Sequence, residues 1–134
     1  MTPLLLSHKR FIRVYLPTIL WALIIFAGSS IPAKDFPNLA ILAYDKVFHF
    51  LLFGLFCYFL HRALQNQNKF SKLAGKAPWV AFFATVVYGI FDELHQVFVP
   101  GRSPDPFDLL ADSLGALAAT LILLFLAGLG SRKV

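Results

Sequence analysis

Apolar residues run through this chain in four long stretches, about Phe11–Ile31, Ala43–Leu64, Ala77–Val99 and Pro106–Leu129. Short segments rich in proline, glycine, amides and charge separate them. A bilayer's hydrocarbon core of ~30 Å needs roughly 20 mostly apolar residues at ~1.5 Å each, so every stretch is long enough to cross. The pattern predicts an all-α integral membrane protein, a four-helix transmembrane bundle in one domain over residues 1–134. Pro17 in the first third of the first helix predicts a kink. Pro32–Leu42 reads as a loop, broken by Pro32, Pro37 and Asn38, and Gln65–Lys76 as a second, basic loop. Pro78 sits where a first helical turn allows it. Asp105 makes a good N-cap for the fourth helix, with Pro106 at its first position and Asp108 in its first turn. Gly115 and Ala119, with Ala111, Ala116 and Ala118 nearby, predict close helix–helix contact.

Charge then orients the bundle. With the N-terminus in the cytoplasm, the inner side receives Lys9, Arg10, Arg13, Arg62, Lys69, Lys72, Lys76, Arg132 and Lys133, and no acid. The outer side receives every acid, Asp35, Asp45, Asp92, Glu93, Asp105, Asp108 and Asp112, with only Lys34, Lys46 and Arg102 among them. Lys and Arg concentrate in short cytoplasmic loops, which predicts an N-in, C-in topology in the cytoplasmic (inner) membrane. A content of 58% hydrophobic residues and a mean hydropathy of +0.71 are too apolar for a soluble domain of 134 residues. The net charge of +5 therefore sets topology and meets anionic headgroups, and no nucleic-acid partner is expected. The apolar run Val14–Ile31 exceeds the ~7–15 residues of a signal-peptide core, so the first segment reads as a retained helix. Cys57 is the single cysteine, which excludes an intramolecular disulfide and leaves a small packing residue.

The same weave gathers the ionisable residues at one end. Asp112 and Asp92 each lie about 10 Å inside their helix ends, with His49 somewhat shallower. Asp45 and His49 share a face, as do Asp108 and Asp112, while Tyr88, Asp92, His95 and Gln96 line another and Glu93 points a quarter turn away. Charges within a membrane helix are costly, so these groups should face one another or a wet cavity. Asp45, Asp105 and Asp108 can be explained as helix N-terminal carboxylates, and Lys46 and Arg102 as their partners. Asp92 and Glu93 cannot, because they approach a helix C-terminus, where the dipole disfavours anions. They require Arg102, Lys46, an imidazole, a metal or protonation. Glu93, His95 and Arg102 have no capping role evident in the sequence. Asp45, His49, Asp92, Glu93, His95, Arg102, Asp108 and Asp112 are expected to converge in one outward-opening pocket.

These residues also carry a resemblance. Ser29-Ser30, Asp45-Lys46-Val47-Phe48-His49-Phe50, and the block Tyr88-Gly89-Ile90-Phe91-Asp92-Glu93-Leu94-His95-Gln96-Val97-Phe98-Val99-Pro100-Gly101-Arg102-Ser103 with Asp108, Asp112 and Gly115 resemble the VanZ-like family. Phe53 stands where an aromatic hydroxyl is common, and Asp112-Ser113 replaces an Asn-Thr variant. The resemblance implies a bacterial envelope protein and, for some members, reduced susceptibility to the lipoglycopeptide teicoplanin. It implies no reaction.

The leading expectation is an outer-leaflet site that handles a lipid-anchored ligand, either a lipoglycopeptide or a lipid-linked wall intermediate. Asp45, Lys46, Gln96, Arg102, Asp108 and Asp112 are the candidate binding residues, and Arg102 suits a phosphate or carboxylate. A second expectation is a membrane hydrolase or transferase with Glu93, His95, Asp92 and His49 as acid/base candidates. The acids and imidazoles supply enough ligands for a divalent cation, but no short metal signature occurs, and the cofactor stays open. Ser29 and Ser30 read as capping or packing residues rather than nucleophiles. A cation- or proton-coupled transporter is the third alternative, although the inner halves of the helices lack a continuous ionisable path. Membrane lipids are the expected partners, and the oligomeric state is open.

Overall fold

The computed structural model describes Lys9 and residues 11–35, 44–67 and 71–131. Arg10, Lys69, Arg132 and Lys133, used above to orient the chain, lie outside the described residues, as do Ala43 and most of the Pro32–Leu42 loop. The described residues contain helices and no strand. A π-helical turn, Phe11–Tyr15, leads into α1, Leu16–Ser29. There follow α2, Asp45–Gln65, a short α3, Ser71–Ala74, then α4, Ala77–Gln96, and α5, Pro106–Ser131. Four of these stretches are long and apolar enough to cross a membrane: Phe11–Ser29, Asp45–Gln65, Ala77–Gln96 and Pro106–Gly130.

Three boundaries differ from the sequence reading, each for a local reason. Pro17 falls at the start of α1, and the π turn precedes it. A proline ring has no N–H and crowds the carbonyl four residues back, and a wider turn relieves that crowding. The basic loop contains the single helical turn of α3. The third span stops at Gln96 rather than Val99, because Phe98 and Val99 donate to the carbonyls of His95 and Gln96 in tight turns. Arg102 continues that turn by donating to the Val99 carbonyl at 3.0 Å.

Gly101 takes a φ of +76°, and a Cβ there would also meet the Ala33 Cβ at 3.1 Å. The Ala33 amide donates to the Pro100 carbonyl at 3.2 Å, so the segment leaving α1 is tied to the α4–α5 turn. Glycine suits this turn on both counts.

Large apolar side chains such as Leu20, Leu23, Phe83, Phe91 and Phe125 point outward along the bundle. In water that surface would be a liability, whereas against lipid tails it is solvated. The interior divides into two clusters. Ile25, Phe53 and Phe56 pack with Trp21, Leu52 and Tyr88 around α1, α2 and α4. Cys57, Ala81 and Ala116 form the second, with Phe82 and Ala119, where α2, α4 and α5 meet. Cys57 is fully buried there, with its Sγ 3.6 Å from Thr120 Oγ1.

Helices in lipid gain little from hydrophobic contact with each other, so close approach and interhelical hydrogen bonds must hold them. Close approach joins α2 to α5. A Cβ built on Gly115 would lie 2.0 Å from the Phe50 carbonyl oxygen, and one on Gly54 would lie 3.1 Å from that of Gly115. Hydrogen bonds hold α1, of which only Ile25 and Ser29 are buried. Thr18 Oγ1 donates to the Phe59 carbonyl (3.0 Å), Trp21 Nε1 to that of Leu52 (2.8 Å), and Tyr88 Oη to that of Ala22 (2.7 Å).

Gly115→Ala is expected to push α5 off α2 and cost about 1–3 kcal/mol, the usual range for overpacking. Thermal unfolding in detergent should show a lowered midpoint for this variant. Gly128→Ala, where a Cβ meets nothing within 4 Å, should melt like the parent.

Candidate functional site

The end of α1, the start of α2, the end of α4 and the start of α5 meet at one end of the bundle. They bring six carboxylates together, those of Asp45, Asp92, Glu93, Asp105, Asp108 and Asp112. The positive groups among them are few. Lys46, one residue into α2, reaches across to α5: its Nζ donates to Asp105 Oδ2 at 2.6 Å and to Asp108 Oδ1, and lies 3.6 Å from Asp45 Oδ2. Asp105 also caps α5 by accepting the Phe107 amide at 2.8 Å. The Lys46 ammonium, followed by that amide, holds the Asp105 carboxyl below its usual value. This contribution is present above the unfolded carboxyl value and is lost as pH falls.

One turn deeper, His49 Nδ1–H donates to Asp112 Oδ1 at 2.9 Å. Its Nε2 lies 3.9 Å from both Asp45 Oδ1 and Asp108 Oδ2. The ring is stacked near-parallel to Phe53, with centroids 6.2 Å apart. Asp112 is fully buried, and its Oδ2 rests against Gly89, where a Cβ would approach to 3.0 Å. A larger residue at position 89 would displace this carboxylate.

The two α4 acids that oppose their helix dipole accept hydrogen bonds from neutral donors. Ser29 Oγ donates to Asp92 Oδ1 at 2.5 Å, and Gln96 is a further partner of Asp92. Glu93 Oε2 accepts the backbone N–H of Asp105 at 2.7 Å, which anchors the chain as it enters α5. Glu93 thus has a structural role that sequence reasoning denied it. The reason is spatial: its partner is a main-chain group twelve residues away across a turn.

A cavity of about 230 Å³ opens between α1, α2 and α4. Ile24, Ile25, Phe48, Leu52 and Phe53 supply its apolar lining, and Ser29, Asp45, His49, Asp92, Gln96 and Arg102 its polar groups. Arg102 Nε donates to the Ile31 carbonyl at 3.2 Å.

The expected convergence therefore resolves into parts. Asp45, His49, Asp92, Gln96 and Arg102 border the cavity. Lys46, Asp108, Asp112 and Glu93 form the charged layer between α2, α4 and α5. His95 is set aside from both: its Nε2 is 2.9 Å from Ser30 Oγ and its ring lies over Phe26, centroids 4.6 Å apart.

A family model described as VanZ/LLP1 matches residues 4–127. The chain belongs to the VanZ/LLP1 family. Neither a curated protein nor a solved structure matches it.

Within this VanZ/LLP1 chain, His49 is the pivot of two potential cation-binding groups, Asp45–His49–Asp108 and His49–Glu93–Asp112. In each, one ligand atom per residue lies within 4.8 Å of the others. The side chains that sequence reasoning missed are Ser29, as the donor to Asp92, Ser30, as the partner of His95, and Phe53 and Gly89, which shape the space around His49 and Asp112. The adjacent serines at the end of α1 were a usable signal. Their partners lie 63 and 65 residues away, and helical spacing cannot supply that pairing.

Ser29→Ala removes the 2.5 Å donor from a buried carboxylate and is expected to cost about 1–3 kcal/mol. A double-mutant cycle with Asp92→Asn, read by thermal unfolding, should give a coupling of at least ~0.5 kcal/mol. Additivity of the two changes would contradict the contact.

Proposed function

We propose that this VanZ/LLP1 membrane protein lies in the bacterial cytoplasmic membrane as one domain over residues 1–134, with both termini in the cytoplasm. Its polar end then faces the outer leaflet and takes the headgroup of a lipid-anchored ligand, either a lipoglycopeptide such as teicoplanin or a lipid-linked wall intermediate. One observation carries this reading: the cavity is lined mostly by apolar side chains with a minority of charged and polar ones, and it opens between helices whose outer faces are themselves apolar. Such a cleft matches an amphiphile, with the chain against Ile24, Phe48 and Leu52 and the headgroup against Asp45, Asp92, Gln96 and Arg102. Carboxylates and an amide accept hydrogen bonds from amines and amides, and the Arg102 guanidinium suits a phosphate or carboxylate.

A hydrolase or transferase reading is favoured by one detail. His49 and Asp92 both border the cavity, so this pair, rather than His95, would carry acid/base work. Glu93 has one oxygen committed to the Asp105 amide and His95 packs on Phe26, which moves both down the order of catalytic candidates.

Binding of teicoplanin and of a lipid-linked wall precursor to the detergent-purified protein tests the proposal. Asp92→Asn and Arg102→Ala should each weaken binding of the true ligand about tenfold or more, the scale of one lost charge-assisted contact. Membrane abundance should stay near that of the parent. Turnover of the precursor, abolished by His49→Gln, would select the enzymatic reading instead.

Topology is tested separately with impermeant thiol labelling in a Cys57→Ala background. A cysteine at Ser103 should label from outside intact cells, and one at Gln67 only after permeabilisation. The reverse pattern would put the cavity at the cytoplasmic leaflet.

A further inference from the structure

We infer that His49, Glu93 and Asp112, from α2, α4 and α5, hold a divalent transition-metal ion of the zinc or manganese class. Two orphaned atoms point there. Glu93 Oε1 and Asp112 Oδ2 are buried, and neither has a hydrogen-bond partner among the described residues. Both belong to side chains more than nine-tenths buried. Glu93 is held through Oε2 on the Asp105 amide, which leaves Oε1 to give, and Asp112 is held by its packing against Gly89 with Oδ1 facing His49. Fixed carboxylates with a spare oxygen and an adjacent imidazole are what a preorganised metal site supplies.

The spacing agrees. One ligand atom from each of the three residues lies within 4.8 Å of the other two. The 2.9 Å between His49 Nδ1 and Asp112 Oδ1 is close to the edge of an octahedron with bonds of about 2.1 Å, so an ion takes the place of the proton these two atoms share, and the unpartnered Oδ2 is left for a bidentate contact. A metal bound through Nδ1 takes the place of the Nδ1 proton, and the ring's remaining proton sits on Nε2. Two carboxylate oxygens, Asp45 Oδ1 and Asp108 Oδ2, lie 3.9 Å from that nitrogen, beyond hydrogen-bond distance, and favour a proton there by charge. One imidazole and two carboxylates form a borderline donor set, which suits zinc or manganese better than calcium.

The neighbouring group, Asp45–His49–Asp108, is the weaker candidate. Lys46 already supplies a positive charge to Asp108 and lies close to Asp45. The inner group has no ammonium of its own, and six carboxylates outnumber the cationic side chains at this end of the bundle. A divalent ion supplies charge where Lys46 does not reach.

The inference does not depend on the lipid ligand, and its test is read without one. Tag-free protein in detergent is stripped with a chelator, re-equilibrated with Mn²⁺ or Zn²⁺ and desalted, and bound metal is counted by plasma mass spectrometry. About one ion per chain and a rise in the unfolding midpoint are expected. Glu93→Gln and Asp112→Asn should each lower affinity tenfold or more, Asp45→Asn should lower it less than either, and Asp35→Asn, at an exposed position outside the cluster, should leave it within about threefold. X-ray absorption of the zinc-loaded parent, which needs no variant to fold, should show a nitrogen/oxygen shell with one imidazole. Less than a tenth of an ion per chain, a shell with no imidazole, binding indifferent to Asp112→Asn, or a loss on Asp45→Asn as large as that on Asp112→Asn would each overturn the assignment.

Discussion

The approach of α5 to α2 at Gly115 sets the geometry of the polar end. No side chain separates the two backbones there, and a single Cβ would fall 2.0 Å from the Phe50 carbonyl oxygen. His49 is the residue before Phe50, and Asp112 lies almost one turn before Gly115. The glycine contact therefore determines that an imidazole on one helix and a carboxylate on the other meet at 2.9 Å. Lys46, another turn toward the helix ends, crosses the same seam to Asp105 and Asp108. In lipid no water can substitute for a lost partner, so close packing and polar pairing depend on each other.

The first helix obeys a different rule. It buries little of itself and is joined to its neighbours by Thr18, Trp21 and Ser29 as donors and by the Ala22 carbonyl as an acceptor. The bonds to carbonyls are of a kind worth about 0.6 kcal/mol on average in membranes, and the Ser29 bond to a buried carboxylate is charge-assisted and stronger. It is also one wall of the cavity, contributing Ile24, Ile25, Gly28 and Ser29. The element that closes the cleft is thus the spanning helix with the fewest buried side chains. The Ser29–Asp92 bond ties the compensation of a buried acid to the position of this wall.

Electrostatics at this end is layered. Near the helix ends, Lys46 and the α5 N-terminus neutralise Asp105 and Asp108, with the helix dipole favouring the anions. Deeper, Asp92 and Glu93 sit near the unfavourable end of α4 and are stabilised by a hydroxyl and a main-chain amide. Neutral donors make a buried carboxylate tolerable without cancelling its charge. That leaves the inner layer able to attract a cation or a cationic headgroup.

Much of this was legible in the sequence. Length and apolarity determined four spanning helices, because a hydrocarbon slab admits few alternatives for a backbone that must satisfy its own hydrogen bonds. Helical spacing put Asp45 with His49 and Asp108 with Asp112 on shared faces, and the N-terminal chemistry of Asp105 and Pro106 marked where α5 begins. Spacing along one helix carries no information about which face of another it meets. Only the tertiary structure decided that Asp92 pairs with Ser29, that Glu93 anchors the entry to α5, and that His95 turns away to Ser30 and Phe26 while His49 joins the charged layer. Those outcomes depend on the rotation of each helix about its axis, which the glycine seam and the polar ties of α1 impose through contacts some 60 residues apart in the chain.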